Sequence, residues 1–111
     1  MSAVRSKIDN LLKEKKVLLI SLSYCVPCKR VKKVLAEYNI PKENIEILDI
    51  DKRLNDEDRA ELVQYMMELT GARTFPRVFI GGKFIGGSSD TLDLDNNGQL
   101  EPLLKSVGAL P

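Results

Sequence analysis

VLLISLSYCVPCKRVKKVLAEYNIPKENIEILDID, residues 17 to 51, reads as a strand, a helix and a second strand, and this order decides the fold. VLLISLS (17 to 23) is an apolar run with β-branched members, of the length that a strand buried on both faces has. Beyond Cys28 the apolar residues Val31, Val34, Leu35 and Tyr38 mark one helical face, and NIP at 39 to 41 stops the helix because Pro41 lacks an N–H. NIEILDID (44 to 51) alternates and predicts the second strand, extending to Asp51. A βαβ unit makes its strands parallel, so Cys25 and Cys28 fall at the carboxyl end of the first.

On the amino-terminal side, Val4, Ile8, Leu11 and Leu12 recur at helical spacing and predict an amphipathic helix from about Ser2 to Lys15. On the other side, NDEDRAELVQYMMELTG (55 to 71) opens with acidic residues and closes on Gly71, as a helix does. Its expected buried side is Leu62, Val63, Met66, Met67 and Leu69. RVFIGGKFIGG (77 to 87) is two apolar runs joined at Gly81-Gly82, the pair a tight hairpin needs, and it gives the sheet an antiparallel half. Closing helices are expected near Ser89 to Asp95 and Gln99 to Val107. DLDNNG (93 to 98) matches the first half of a calcium loop, but Leu104 stands where its bidentate glutamate belongs, and an Asn-Gly turn is the better reading. Residues 1 to 111 are expected to form one α/β domain, a mixed four-stranded sheet layered between helices.

Seventeen basic and 16 acidic residues leave a net charge of +1, which gives no electrostatic reason to expect a nucleic acid or a membrane surface as partner. MSAVRSKIDNLLKEKKV holds no apolar stretch of the secretory kind, so a cytoplasmic location is expected. Histidine is absent, which excludes Cys-His and Ser-His nucleophile pairs and any His-containing zinc site. Two cysteines fall short of the four ligands of structural zinc, so no metal is expected. The cysteine pair is left with thiol chemistry or with packing.

A C-x-x-C that follows a strand and opens a helix sets its first sulfur near the N-cap, where free N–H groups and the helix dipole favour a thiolate. Cys25 is then the attacking thiol, and Cys28, three residues on, closes the disulfide. Lys29, Arg30, Lys32 and Lys33 add positive charge, but a solvated face opposite Val31, Val34 and Leu35 accounts for most of them.

SYCVPCKR (23 to 30), LTGARTFPRVFIGG (69 to 82), FIGGSSD (84 to 90) and LKSVGAL (104 to 110) together resemble the glutaredoxins over nearly the full chain. The resemblance implies a three-layer thioredoxin-like fold, a cis proline at Pro76 and a glutathione-dependent disulfide oxidoreductase. It implies that Tyr24, Val26, Pro27 and Pro76 shape the site and that Thr74 and the backbone of Phe75 meet the cysteinyl part of glutathione. It assigns the γ-glutamyl end to Ser89 and Asp90, which as residues alone also read as a helix cap. The implied partners are glutathione as electron donor and disulfide-containing proteins as substrates, with the chain working as a monomer.

Three positions depart from the family pattern. Leu22 stands where a lysine usually binds the glycine carboxylate of glutathione, and Val63 where a glutamine or arginine assists it. Arg73 or Lys29 is left to serve that end. The proline of the dithiol follows Val26 instead of Cys25, an order that resembles thioredoxin. At helix position N2, Pro27 deletes one of the two amides an N-cap group uses and leaves that of Cys28. A less stabilised Cys25 thiolate makes the couple more reducing. Two alternatives stay open: reduction by a flavoprotein reductase, and a non-catalytic [2Fe-2S] carrier in which Cys25 thiolates and glutathiones of two chains hold the cluster.

Overall fold

Every residue of β1 (Val17–Ser21) is buried, because both edges of this strand are paired and both of its faces are covered. The computed structural model describes residues 2–111. Parallel to β1 runs β2 (Ile45–Asp49), in a register that sets Val17 opposite Ile45 and Ser21 opposite Asp49. The other edge of β1 pairs antiparallel with β3 (Arg77–Ile80), which turns into β4 (Lys83–Gly86), giving the order β2-β1-β3-β4. The hairpin turn is Gly81-Gly82, with φ of 62° and 78°, a backbone that side-chain-bearing residues rarely adopt.

Alternation along β1 divides the core. Leu18 and Ile20 point to one face, where they meet Val4 and Ile8 of α1 (Ala3–Glu14) and Leu62 and Met66 of α4 (Asp56–Thr70). Val17 and Leu19 point to the other, against Val31 and Leu35 of α2 (Val26–Glu37) and Leu100 and Leu104 of α6 (Leu100–Ser106). Leu94 of α5 (Ser88–Asn96) joins this second cluster. Helices on both faces of a mixed sheet make the three layers expected.

Three details correct the sequence reading. β2 ends at Asp49, and Asp51 lies in a one-turn helix, α3 (Ile50–Arg53), that carries Ile50 into the core. The chain leaves α2 before Pro41 acts: Asn39 takes the left-handed conformation at φ 53°, as asparagine does past a helix end. On α4 only Leu62 and Met66 are buried, Val63 and Met67 are half-buried, and Leu69 is 42% exposed. Leu69 lies seven residues from Leu62 and so nearly on its face, but it falls in the last turn of α4, just before the Gly71 cap, so helical spacing alone overestimates the length of the buried stripe. As expected, Asp93 and Asp95 belong to a helix, α5, and Gly98, at φ 71°, forms its Asn-Gly end.

Candidate active site

β1 delivers the chain to α2 through Leu22–Cys25, and two carboxylates from the end of β2 tie this link down. Asp49 accepts a hydrogen bond from Ser21 Oγ, and Asp51 accepts from Ser23 N at 2.9 Å and Ser23 Oγ at 2.5 Å. Asp51 is held below the usual carboxylate range by these Ser23 bonds. Cys25 arrives in extended conformation as the N-cap of α2, with Val26 at N1 and Pro27 at N2 as expected. Its sulfur accepts the N–H of Cys28 at 3.3 Å, the capping donor that Pro27 leaves available.

The two thiols differ in access. Cys25 is half-buried between Tyr24 and Val26, which are 69% and 57% exposed, whereas Cys28 is fully buried. Burial first, and hydrogen bonding with Cys25 second, push the Cys28 thiol up to about 12. A backbone hydrogen bond from Leu22 and the charge of Lys32 act in the opposite direction. One thiol thus faces incoming disulfides while the other waits behind it.

A cleft of about 520 Å³ begins at Pro27 and runs past Thr74, Phe75 and Pro76 to Ser89 and Asp90 at the start of α5. The Phe75-Pro76 peptide is cis, as the resemblance implied. Arg77, only 9% exposed, braces this loop: Nε donates to the Thr74 carbonyl at 2.6 Å and Nη2 to Thr74 Oγ1 at 2.5 Å, with the guanidinium 5.1 Å from the Phe84 ring centre. At the far end Asp90 turns back to accept the Gly87 N–H at 3.3 Å.

Pro27, Thr74, Phe75, Pro76, Ser89 and Asp90 therefore meet around one cleft. Arg73 does not line it; exposed, it faces Gln64 of α4 at 3.5 Å. Lys29 is exposed on α2, while Leu22 and Val63 are half-buried against the α1/α4 cluster and present no charge. Sequence reasoning passed over Arg77, for which an arginine directly after the cis proline was the available signal. It also misjudged Lys32, which is half-buried and bonded to Asp49 at 2.6 Å, while Lys29, Arg30 and Lys33 are exposed as expected. Among the described residues, no three His, Cys, Asp or Glu side chains converge as a metal site would require.

The glutaredoxin family model matches residues 17–85, from β1 through β4. The chain belongs to the glutaredoxin family. Glutaredoxin-C6 of Oryza sativa subsp. japonica is 46% identical over 94 residues, spanning 85% of this chain and 79% of its own. Human Glutaredoxin-1 is 39% identical over 95 residues, spanning 86% and 87%. The buckwheat glutaredoxin-glutathione complex superposes with a TM-score of 0.84 at 30% identity, over 97% of this chain and 93% of the other. This glutaredoxin is a glutathione-dependent thiol-disulfide oxidoreductase of the C-x-x-C type on a thioredoxin-like fold.

Proposed function

We propose that Cys25 attacks protein disulfides and glutathione mixed disulfides and that Cys28 resolves the protein adducts. One observation carries the reading: an accessible thiol caps α2 beside the Pro27 end of the cleft, accepting the backbone N–H of Cys28, whose own thiol is buried behind it. Attack by the Cys25 thiolate breaks the substrate disulfide, forms a mixed disulfide at Cys25 and releases one substrate sulfur with the electron pair. Cys28 then displaces the second sulfur and closes the Cys25-Cys28 disulfide, or a glutathione thiolate displaces the enzyme directly.

Within the cleft, glutathione would lie along Thr74 and Phe75, with its γ-glutamyl end at Ser89, Asp90 and the α5 N-terminus, where free N–H groups suit a carboxylate. Arg30, which lines the cleft, joins Arg73 and Lys29 as a cation left for its glycine end. Protein substrates would meet the exposed rim of Tyr24, Val26 and Pro27. One chain holds both thiols and the whole cleft, which suits a monomer, and cycling through the dithiol form suits the reducing cytosol. Toward a [2Fe-2S] cluster the chain brings Cys25 as its one accessible thiolate, and the other donors would come from glutathione and a second copy.

The apolar character of Leu22 and Val63 favours a second reading, reduction by a flavoprotein reductase. Parallel assays of the parent and Cys28→Ser decide between them, with glutathione plus glutathione reductase in one arm and thioredoxin reductase in the other. Retention of glutathione-driven turnover by Cys28→Ser is the expected result. Turnover of the parent with thioredoxin reductase alone would overturn it.

A further inference from the structure

Lys32 is the one basic residue of the opening turns of α2 that is half-buried. It stands four residues beyond Cys28, so the two side chains share a helix face one turn apart. Its Nζ lies 2.6 Å from Asp49 Oδ1, and the same oxygen accepts the hydroxyl of Ser21, which is fully buried and is Asp49's partner across the β1/β2 register. The next residue, Leu22, accepts the Cys25 N–H on its carbonyl at 3.2 Å, in the link that leads from β1 into the dithiol. The ammonium is thus anchored to the end of the sheet from which the dithiol helix starts. Burial alone would raise the Asp49 carboxyl, but the bonds from Lys32 and Ser21 outweigh it and hold it low, so the pair stays ionic.

Drawing a lysine partly out of water to this position brings little stability by itself, since a partly exposed ion pair is weak. Its chemical consequence falls on the neighbouring thiol. Cys28 is pushed up to about 12 by burial, and the charge of Lys32 works against that burial. Resolution requires negative charge on this sulfur: the Cys28 S–H ionises, the sulfur attacks Cys25, the Cys25-Cys28 bond forms and the Cys25-substrate bond breaks. The electron pair leaves on the substrate sulfur, which takes up the proton that Cys28 gave. The dithiol is oxidised by two electrons and the substrate disulfide is reduced by two.

We propose that Lys32, held by Asp49 and Ser21, is a positioning residue for the dithiol branch, stabilising the charge that develops on the Cys28 sulfur, and takes no part in monothiol exchange with glutathione. The proposal rests on the reading of Cys28 as the resolving thiol. The experiment forms a mixed disulfide between Cys25 and a cysteine peptide and follows peptide release without glutathione, for the parent, Lys32→Met and Lys32→Arg. A second arm measures glutathione-driven turnover of a glutathione mixed disulfide with Lys32 intact or replaced by Met in the Cys28→Ser background. Lys32→Met is expected to slow release about tenfold, with Lys32→Arg restoring most of it and the second arm unchanged. Unchanged release in Lys32→Met overturns the proposal, as does an equal loss in both arms, which would make Lys32 a latch for the fold. Failure of the parent itself to release peptide removes the resolving role of Cys28, and the proposal with it. If Lys32→Met does not fold, Lys32→Gln carries the same test.

Discussion

Pro27 acts on the chemistry through an atom it lacks. An N-cap acceptor draws on the amides of N2 and N3, and with proline at N2 the Cys25 sulfur takes only that of Cys28, at 3.3 Å. A thiolate with one donor fewer is a poorer product of disulfide reduction, so the couple is expected to lie below the roughly −200 to −230 mV of glutaredoxins, toward the roughly −270 mV of thioredoxin. Pro27→Ala restores the amide and should raise the potential. Equilibration with glutathione redox buffers measures both proteins, and a parent potential above the glutaredoxin range would remove this role from Pro27. Arg77 works at the same scale, its two bonds to Thr74 holding the loop that carries the cis proline.

At the level of elements, α4 tests how a helix face is chosen. Leu62 is fully buried and Leu69 is 42% exposed, although both satisfy the apolar pattern. Leu62→Ala should cost about 2 to 5 kcal/mol through lost burial and the cavity left behind. Leu69→Ala should stay within about 0.5 kcal/mol. Urea unfolding of both variants decides, and equal losses would contradict the orientation of α4. The junction of β4 and α5 links backbone to site more directly. Gly86 has φ of 143°, and a Cβ there would fall on the Asp90 carboxylate. Gly86→Ala should therefore displace Asp90 and raise KM for glutathione several-fold. An unchanged KM would separate Asp90 from the glutathione end of the cleft.

For the whole molecule, shifted protonation on both faces sets the pH range of stability. Cys28 and Tyr38 are each raised to about 12, both by burial first, and Tyr38 also by its hydrogen bond to Asp95. Groups raised in the folded state stabilise it fully below their unfolded values, about 8.5 and 10, and that stability is lost as pH rises toward 12. The Tm should fall between about pH 9 and 12, and less steeply in Cys28→Ser. At the acid end the lowered carboxyls of Asp49, Asp51, Glu61 and Glu68 have the opposite sign: their contribution is present above about pH 4 and lost as pH falls through their folded values. Glu61 and Glu68 receive Arg5 of α1, so acid should loosen the contact of α1 with α4. Thermal melts from pH 2 to 12 test both limbs, and a flat Tm from pH 8 to 11 would contradict the alkaline one.

The order of elements, the hairpin at Gly81-Gly82 and the capping position of Cys25 were legible in the chain because each depends on neighbours within a few residues. Apolar periodicity, a glycine pair and a C-x-x-C after a strand are local signals, and local backbone geometry answers them. The same locality explains the misreadings. Four cations follow Cys28, and nothing within KRVKK distinguishes Lys32 from the rest. That choice was made when the β1/β2 register set Ser21 beside Asp49, 28 residues on, and brought a carboxylate into the reach of one lysine alone. Leu69 left the core, Arg77 entered the cleft wall and Asp51 turned from strand to helix for the same reason. Sequence determined which elements form and where the thiols stand; only packing between distant segments decided which face is buried and which charge reaches the site.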